Sequence, residues 1–224
     1  MKTDPKAVRI ELEAGSVSGI LQLPPSAAAC YVFAHGAGAG MQHRSMEAVS
    51  IGLAARGIAT LRYQFPYMEA GSKRPDTPAV AHAAVRAAVA KSIELTGLPV
   101  IAGGKSFGGR MTSQTQAEAP MEGVRGLAFL GFPLHPSDKP SSERAAHLAA
   151  VTVPMLFVQG TRDKLAEWPR LEQVVKQLGA CATLLRIEHA DHGFDVLVRS
   201  GRKPDEVMAE VLDGLAKWIR NHTG

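Results

Sequence analysis

The segment Pro99-Val100-Ile101-Ala102-Gly103-Gly104-Lys105-Ser106-Phe107-Gly108-Gly109 runs from an apolar strand straight into a glycine-flanked serine and a helix-compatible stretch. Within it, Gly104-Lys105-Ser106-Phe107-Gly108 matches G-x-S-x-G in the strand–turn–helix setting that a nucleophile elbow requires. Small residues are needed on both sides because the backbone reverses sharply and holds the serine in a strained conformation. The strain exposes the hydroxyl, and the start of the following helix presents backbone N–H groups beside it. A glycine-rich turn without chemistry is the plain alternative. Gly104-Lys105-Ser106 also ends a phosphate-loop pattern, but that motif needs glycine five positions before Gly104, where Pro99 stands. No apolar run ending in aspartate follows to hold magnesium, so the phosphate-loop reading fails.

Outward from this segment, short β-rich runs alternate with longer helical patterns. Val8–Leu12 and Ser16–Leu23 flank Ala14-Gly15 as a hairpin would. Further strands are expected at Cys30–His35, Ile58–Tyr63, Pro99–Gly103, Gly126–Gly131, Met155–Gln159 and Thr183–Ile187. Between them, Met46, Val49 and Leu53 mark one helix. A second opens at Thr77-Pro78 and stops at Gly97. Leu171, Val174, Val175 and Leu178 form a third stripe, and a last helix starts near Pro204 with Val207, Val211, Leu215 and Trp218 on one face. Several strands read as continuous apolar runs, as strands buried on both faces should. The expected class is α/β, with a mostly parallel eight-stranded sheet covered by helices on both faces. In such sheets the chemistry lies outside the carboxyl ends of the strands.

The chain has 224 residues, 46% apolar and 21% charged, which is enough for a sizeable core and too apolar for intrinsic disorder. No linker divides it, so one domain over 1–224 is expected. The net charge of +4 is modest, and the basic pairs Lys73-Arg74 and Arg202-Lys203 lie far apart, which argues against nucleic acid as a partner. The first residues lack a secretory apolar stretch, and Ala14 to Ala34 is broken by Gln22 and Pro24-Pro25, so no membrane span is expected. Cys30 and Cys181 form no framework and read as free core thiols in a reducing, cytoplasmic setting.

A serine is a weak nucleophile until a base takes its proton, and the base needs an acid to orient it. Asp163 sits on the loop after the Met155–Gln159 strand, in Gly160-Thr161-Arg162-Asp163. His192 lies just past the final strand, in Ala190-Asp191-His192-Gly193-Phe194. Ser106, Asp163 and His192 thus fall on three different strand-end loops. Asp191 is the substitute acid, but an immediate neighbour of His192 in a tight loop points elsewhere. His189 is the rival base, although it follows the strand closely and lacks a flanking glycine. His82, His147 and His222 read as surface or packing residues.

An oxyanion needs donors. The residue after the nucleophile, Phe107, supplies one N–H, and the loop His35-Gly36-Ala37-Gly38-Ala39-Gly40 supplies the other, from Ala37 or alternatively Gly38. His35 reads as a brace for that loop. The same glycines could suggest a dinucleotide site, but no acid stands about 20 residues further on. No ligand cluster has metal spacing, so neither metal nor organic cofactor is expected.

With these residues in place, the chain resembles the α/β-hydrolase superfamily over essentially its whole length, including the order serine, acid, histidine. More narrowly, it is similar to the compact bacterial dienelactone-hydrolase-like proteins related to the testis-expressed hydrolase-like family. Ala34-His35-Gly36-Ala37-Gly38, Phe65-Pro66-Tyr67-Met68-Glu69 and Gly131-Phe132-Pro133-Leu134-His135-Pro136 carry the narrower match. Ser106 stands where true dienelactone hydrolases use cysteine, so their lactone substrate is not implied. Between the strands ending at Gly131 and starting at Met155, only one short helix near Ser142–Ala149 fits, which leaves no room for a large cap.

The expected activity is therefore that of a serine hydrolase acting on carboxylic esters or thioesters of small to medium acyl groups. A non-catalytic protein that keeps the fold for binding is the alternative. Loops beside the triad offer Met41, Arg44, Phe65, Tyr67, Phe132 and His135 as substrate contacts. Arg44, Lys73 and Arg74 can pair with a substrate carboxylate, or they are solvated loop charges. Nothing in the sequence fixes the oligomeric state or the acyl group.

Overall fold

The computed structural model describes residues 4–224; residues 1–3 of the expected domain lie outside it. Strands β1 (Lys6–Leu12) and β2 (Gly15–Gln22) form the N-terminal hairpin. They are followed by β3 (Ala29–Ala34), β4 (Ile58–Tyr63), β5 (Val100–Lys105), β6 (Val124–Leu130), β7 (Met155–Gly160) and β8 (Ala182–Ile187). These eight form one sheet in the order β1-β2-β4-β3-β5-β6-β7-β8. β2 runs antiparallel to both β1 and β4, and every other pairing is parallel. This is the α/β-hydrolase arrangement.

The two sides of the sheet bury two separate cores, and the period-two alternation of a strand decides which residue joins which. In β3, Cys30, Val32 and Ala34 enter one core while Ala29, Tyr31 and Phe33 enter the other. The first core is closed by α3 (Pro78–Thr96), α4 (Phe107–Glu118) and α5 (Trp168–Leu178). The second is closed by α1 (Arg44–Ala54) and α6 (Pro204–Thr223). Fully burying six-residue strands such as β3, β4 and β7 explains why they carry no sequence alternation.

Strand β5 runs two residues beyond its expected end. Gly103 and Gly104 still pair with Ala128 and Phe129 of β6. A one-turn helix, α2 (Pro66–Glu69), follows β4 where a loop was expected, with Pro66 presetting its first turn. Cys181 is exposed rather than in the core, because it lies in the turn between α5 and β8; Cys30 is buried. Between β6 and β7 the chain forms only a short 3₁₀ helix, Glu143–Ala150, so no large cap covers the carboxyl edge. Among the described residues, no helix is long and apolar enough to cross a membrane.

Candidate active site

Ser106 occupies the turn between β5 and α4 with φ of 51° and ψ of −114°, a left-handed region that an L-residue adopts only under constraint. Its N–H donates to the Leu130 carbonyl at 3.1 Å, and its own carbonyl accepts the Arg110 N–H at 3.1 Å. The turn is this tight because α4 lies directly against the end of β3. A Cβ on Gly104 would stand 2.5 Å from the Ala34 oxygen, and one on Gly108 would stand 2.6 Å from the same atom. Only glycine fits at either position. The two glycines of G-x-S-x-G therefore act by absence of bulk.

Asp163 and His192 come together from the ends of β7 and β8. His192 Nδ1 lies 2.7 Å from Asp163 Oδ2. The carboxylate is buried and further held by the Gln159 amide at 2.5 Å and the Leu165 N–H at 2.8 Å. Gln159 also accepts the Phe132 N–H at 2.8 Å, which ties Asp163 to the loop after β6. Sequence reading missed this residue, although a polar side chain closing the apolar run Met155-Leu156-Phe157-Val158 was a visible signal.

Gly131 links His192 to Ser106. Its φ is +67°, and a Cβ there would meet His192 Cε1 and Nδ1 at 3.2 Å. The imidazole thus rests over Gly131, the residue next to the carbonyl that anchors Ser106. Asp191 is engaged elsewhere: its Oδ1 accepts the N–H groups of Gly193 at 2.8 Å and Asp195 at 3.0 Å, fixing the turn that carries His192. His189 is exposed, with its N–H on Thr161 Oγ1 at 2.9 Å.

His35 braces the glycine-rich loop through both ring nitrogens. Nδ1 donates to the Gly36 carbonyl at 2.8 Å, and Nε2 accepts the Phe65 N–H at 3.0 Å. Burial lowers its pKa, which favours the neutral ring that this pattern needs. Gln64 accepts the Met41 N–H at 2.9 Å and Arg62 donates to the Met41 carbonyl at 3.0 Å, holding the far end of the loop. Ala37, Ser106 and Phe107 then line one cavity of about 410 Å³. A second, of about 390 Å³, holds His192 and Asp191, and Leu165 borders both.

The expected substrate contacts lie mostly behind this cavity and do not line it. Phe65 is fully buried, its ring centre 5.3 Å from that of Phe107, and Tyr67 packs on Phe107 at 6.3 Å. Phe132 packs into the core, tilted against Phe129 and edge-on to Phe157. His135 and Met41 are buried as well. Arg44 is exposed at the start of α1, and Lys73 and Arg74 are exposed after α2. The aromatic residues after β4 and β6 are spent on core packing because both strands are buried on two faces. The cavity is instead lined by Arg110, Arg144, Pro133 and Asp76, among others, none of which the sequence offered as a substrate contact. Among the described residues, no group of three or more His, Cys, Asp or Glu side chains could hold a metal ion.

Residues 27–220 match the model of a family described as alpha/beta hydrolase domain. Among solved structures, the dienelactone hydrolase from Anabaena variabilis is similar over 100% of both chains, with a TM-score of 0.80 at 21% identity. The esterase domain of a Rhodothermus marinus protein matches at a TM-score of 0.74 and 17% identity, covering 99% of this chain and 100% of that one. A Xanthomonas campestris protein described as an α/β serine hydrolase without a lid matches at 0.72 and 19%, covering 97% and 96%.

Proposed function

We infer that this chain, which belongs to the alpha/beta hydrolase domain family and is thus a hydrolase, cleaves carboxylic esters or thioesters of small to medium acyl groups through a serine acyl-enzyme. The observation that carries this reading is the 2.7 Å contact of His192 Nδ1 with the buried Asp163 carboxylate, behind a strained Ser106. With Nδ1–H committed to Asp163, Nε2 is the nitrogen left to take a proton.

In this reading Ser106 Oγ attacks the ester carbonyl as His192 accepts its proton. The N–H groups of Phe107 and Ala37 hold the resulting oxyanion. Collapse breaks the bond to the alcohol or thiol, which leaves with the proton from His192. Water, activated by the same imidazole, then releases the acid and restores Ser106. Asp163 keeps the tautomer and stabilises the imidazolium throughout. Side chains and water suffice for the whole cycle. The open carboxyl edge and a cavity of about 410 Å³ suit a short acyl group better than a long one. The reading also includes a single catalytic domain and a cytoplasmic setting, which the two free cysteines support.

The test is hydrolysis of short-chain nitrophenyl esters by the wild type and by Ser106→Ala. The expected loss is about 10⁴-fold or more. An alanine variant as fast as the wild type would overturn the proposal.

A further inference from the structure

We propose that Arg110 and Arg144 form an anion subsite in the cavity beside Ser106, selecting esters that bear a carboxylate a short distance from the scissile carbonyl. The subsite takes its chemistry from the hydrolase reading above and deepens it. Both arginines line the same cavity as the nucleophile. Arg110 stands four residues beyond Ser106 on α4, one helical turn or about 6 Å along the axis. Arg144 comes from the facing 3₁₀ helix, which packs on α4.

Neither guanidinium is neutralised by the described residues. Arg9, Arg56, Arg170 and Arg202 each meet a carboxylate. Among the described residues, Arg110 and Arg144 meet none, and Arg110 instead lies 5.9 Å from the centre of the Phe107 ring. The carboxylate in the cavity, Asp76, accepts the Tyr67 N–H at 3.1 Å and pairs with neither arginine. The nearby Glu118 is taken by His82 at 3.2 Å and Arg86 at 3.9 Å.

The charges of the two arginines act on each other. Burial, followed by the charge of Arg144, lowers the pKa of Arg110. Burial also pushes His147 down to about 4, with Arg110 and His82 adding to the effect. Two like charges held together in a half-buried cavity oppose each other unless an anion joins them. A guanidinium offers a planar pair of donors that matches a carboxylate. The one-turn spacing from Ser106 leaves room for a few methylene groups between that carboxylate and the reacting carbonyl. Phe107, Pro133 and Leu165 supply apolar wall for such a spacer.

The experiment compares mono-ethyl glutarate with ethyl pentanoate, which has a methyl group in place of the carboxylate. The kcat/KM ratio is measured for the wild type, Arg110→Gln and Arg144→Gln, with folding checked by circular dichroism. The wild type should prefer the anionic ester by about tenfold or more, and each substitution should lower that ratio about tenfold, chiefly through KM. Binding is read separately by calorimetric titration of glutarate into Ser106→Ala, with and without Arg144→Gln. Ester cleavage with no anionic preference, or a preference that survives both substitutions, would overturn the subsite and leave the hydrolase reading standing. Arginine-dependent glutarate binding without cleavage of either ester would uphold the subsite and remove the hydrolase. Loss of both cleavage and binding would overturn both.

Discussion

The ammonium of Lys105, the residue immediately before Ser106, donates to the main-chain carbonyl of His192 at 2.9 Å. It also lies 5.1 Å from the centre of the Phe194 ring. One side chain of the β5–α4 turn therefore holds the loop that carries His192. Burial lowers the Lys105 pKa, while Asp163, Asp191 and Asp195 act in the opposite sense and favour its charge. Lys105 is a positioning residue for His192. Lys105→Met should lower kcat about tenfold to a hundredfold, because small displacements of a catalytic group are that costly, while KM changes less than twofold. A fall in KM-dependent binding with kcat intact would contradict this role.

Gly131 gives a second handle on the same imidazole. Its positive φ disfavours any other residue, and a Cβ would press on the His192 ring at 3.2 Å. Gly131→Ala should cost about 1 kcal/mol or more of stability and a larger share of activity, near a hundredfold in kcat. Denaturant titration together with ester kinetics separates the two effects. A variant with full activity would mean that the ring does not need its seat over Gly131.

The acid can be assigned by a pair of substitutions. Asp163→Asn should leave the fold intact and lower kcat by about 10⁴-fold by disfavouring the required tautomer. Asp191→Asn keeps an oxygen to accept the Gly193 and Asp195 N–H groups, so its effect should stay within about threefold. The reverse pattern would move the acid to Asp191.

Stability should depend on pH through His147. Burial pushes its folded pKa down to about 4, below the ordinary histidine value of 6.5, so the unfolded chain binds more protons between those values. Folding stability is then unaffected by this group above about pH 6.5 and declines as pH falls toward 4. His35, also lowered by burial, acts in the same direction. A Tm series from pH 7.5 to 4.5 should decline less steeply in His147→Gln than in the wild type. Parallel curves would rule out His147 as the source.

Much of this architecture was legible in the sequence, for reasons visible at particular residues. Thr77-Pro78 and Gly97 bound α3 because proline presets a first helical turn and glycine takes the left-handed stop at φ of 63°. Ser106, Asp163 and His192 were legible because each follows a short apolar run. The strand extension through Gly104 and Lys105 was not, since Gly104 reads as a turn until the neighbouring strand is seen to exclude a Cβ. The cavity lining was the least legible. Phe65 and Phe132 sit on loops beside the triad, yet their rings fill the core. Arg110 and Arg144 lie on helices that meet only in three dimensions. Sequence position placed Ser106, Asp163 and His192 on strand-end loops; packing decided what surrounds them.

The most direct measurement is mass-spectrometric mapping of a fluorophosphonate adduct on the folded wild-type protein. A phosphonylated serine forms only where a hydroxyl is activated by a neighbouring base. The expected result is a single adduct on Ser106, absent in Ser106→Ala and formed far more slowly in Asp163→Asn. Folded protein that takes up no adduct, or an adduct on any other residue, would contradict a serine hydrolase built on Ser106, His192 and Asp163.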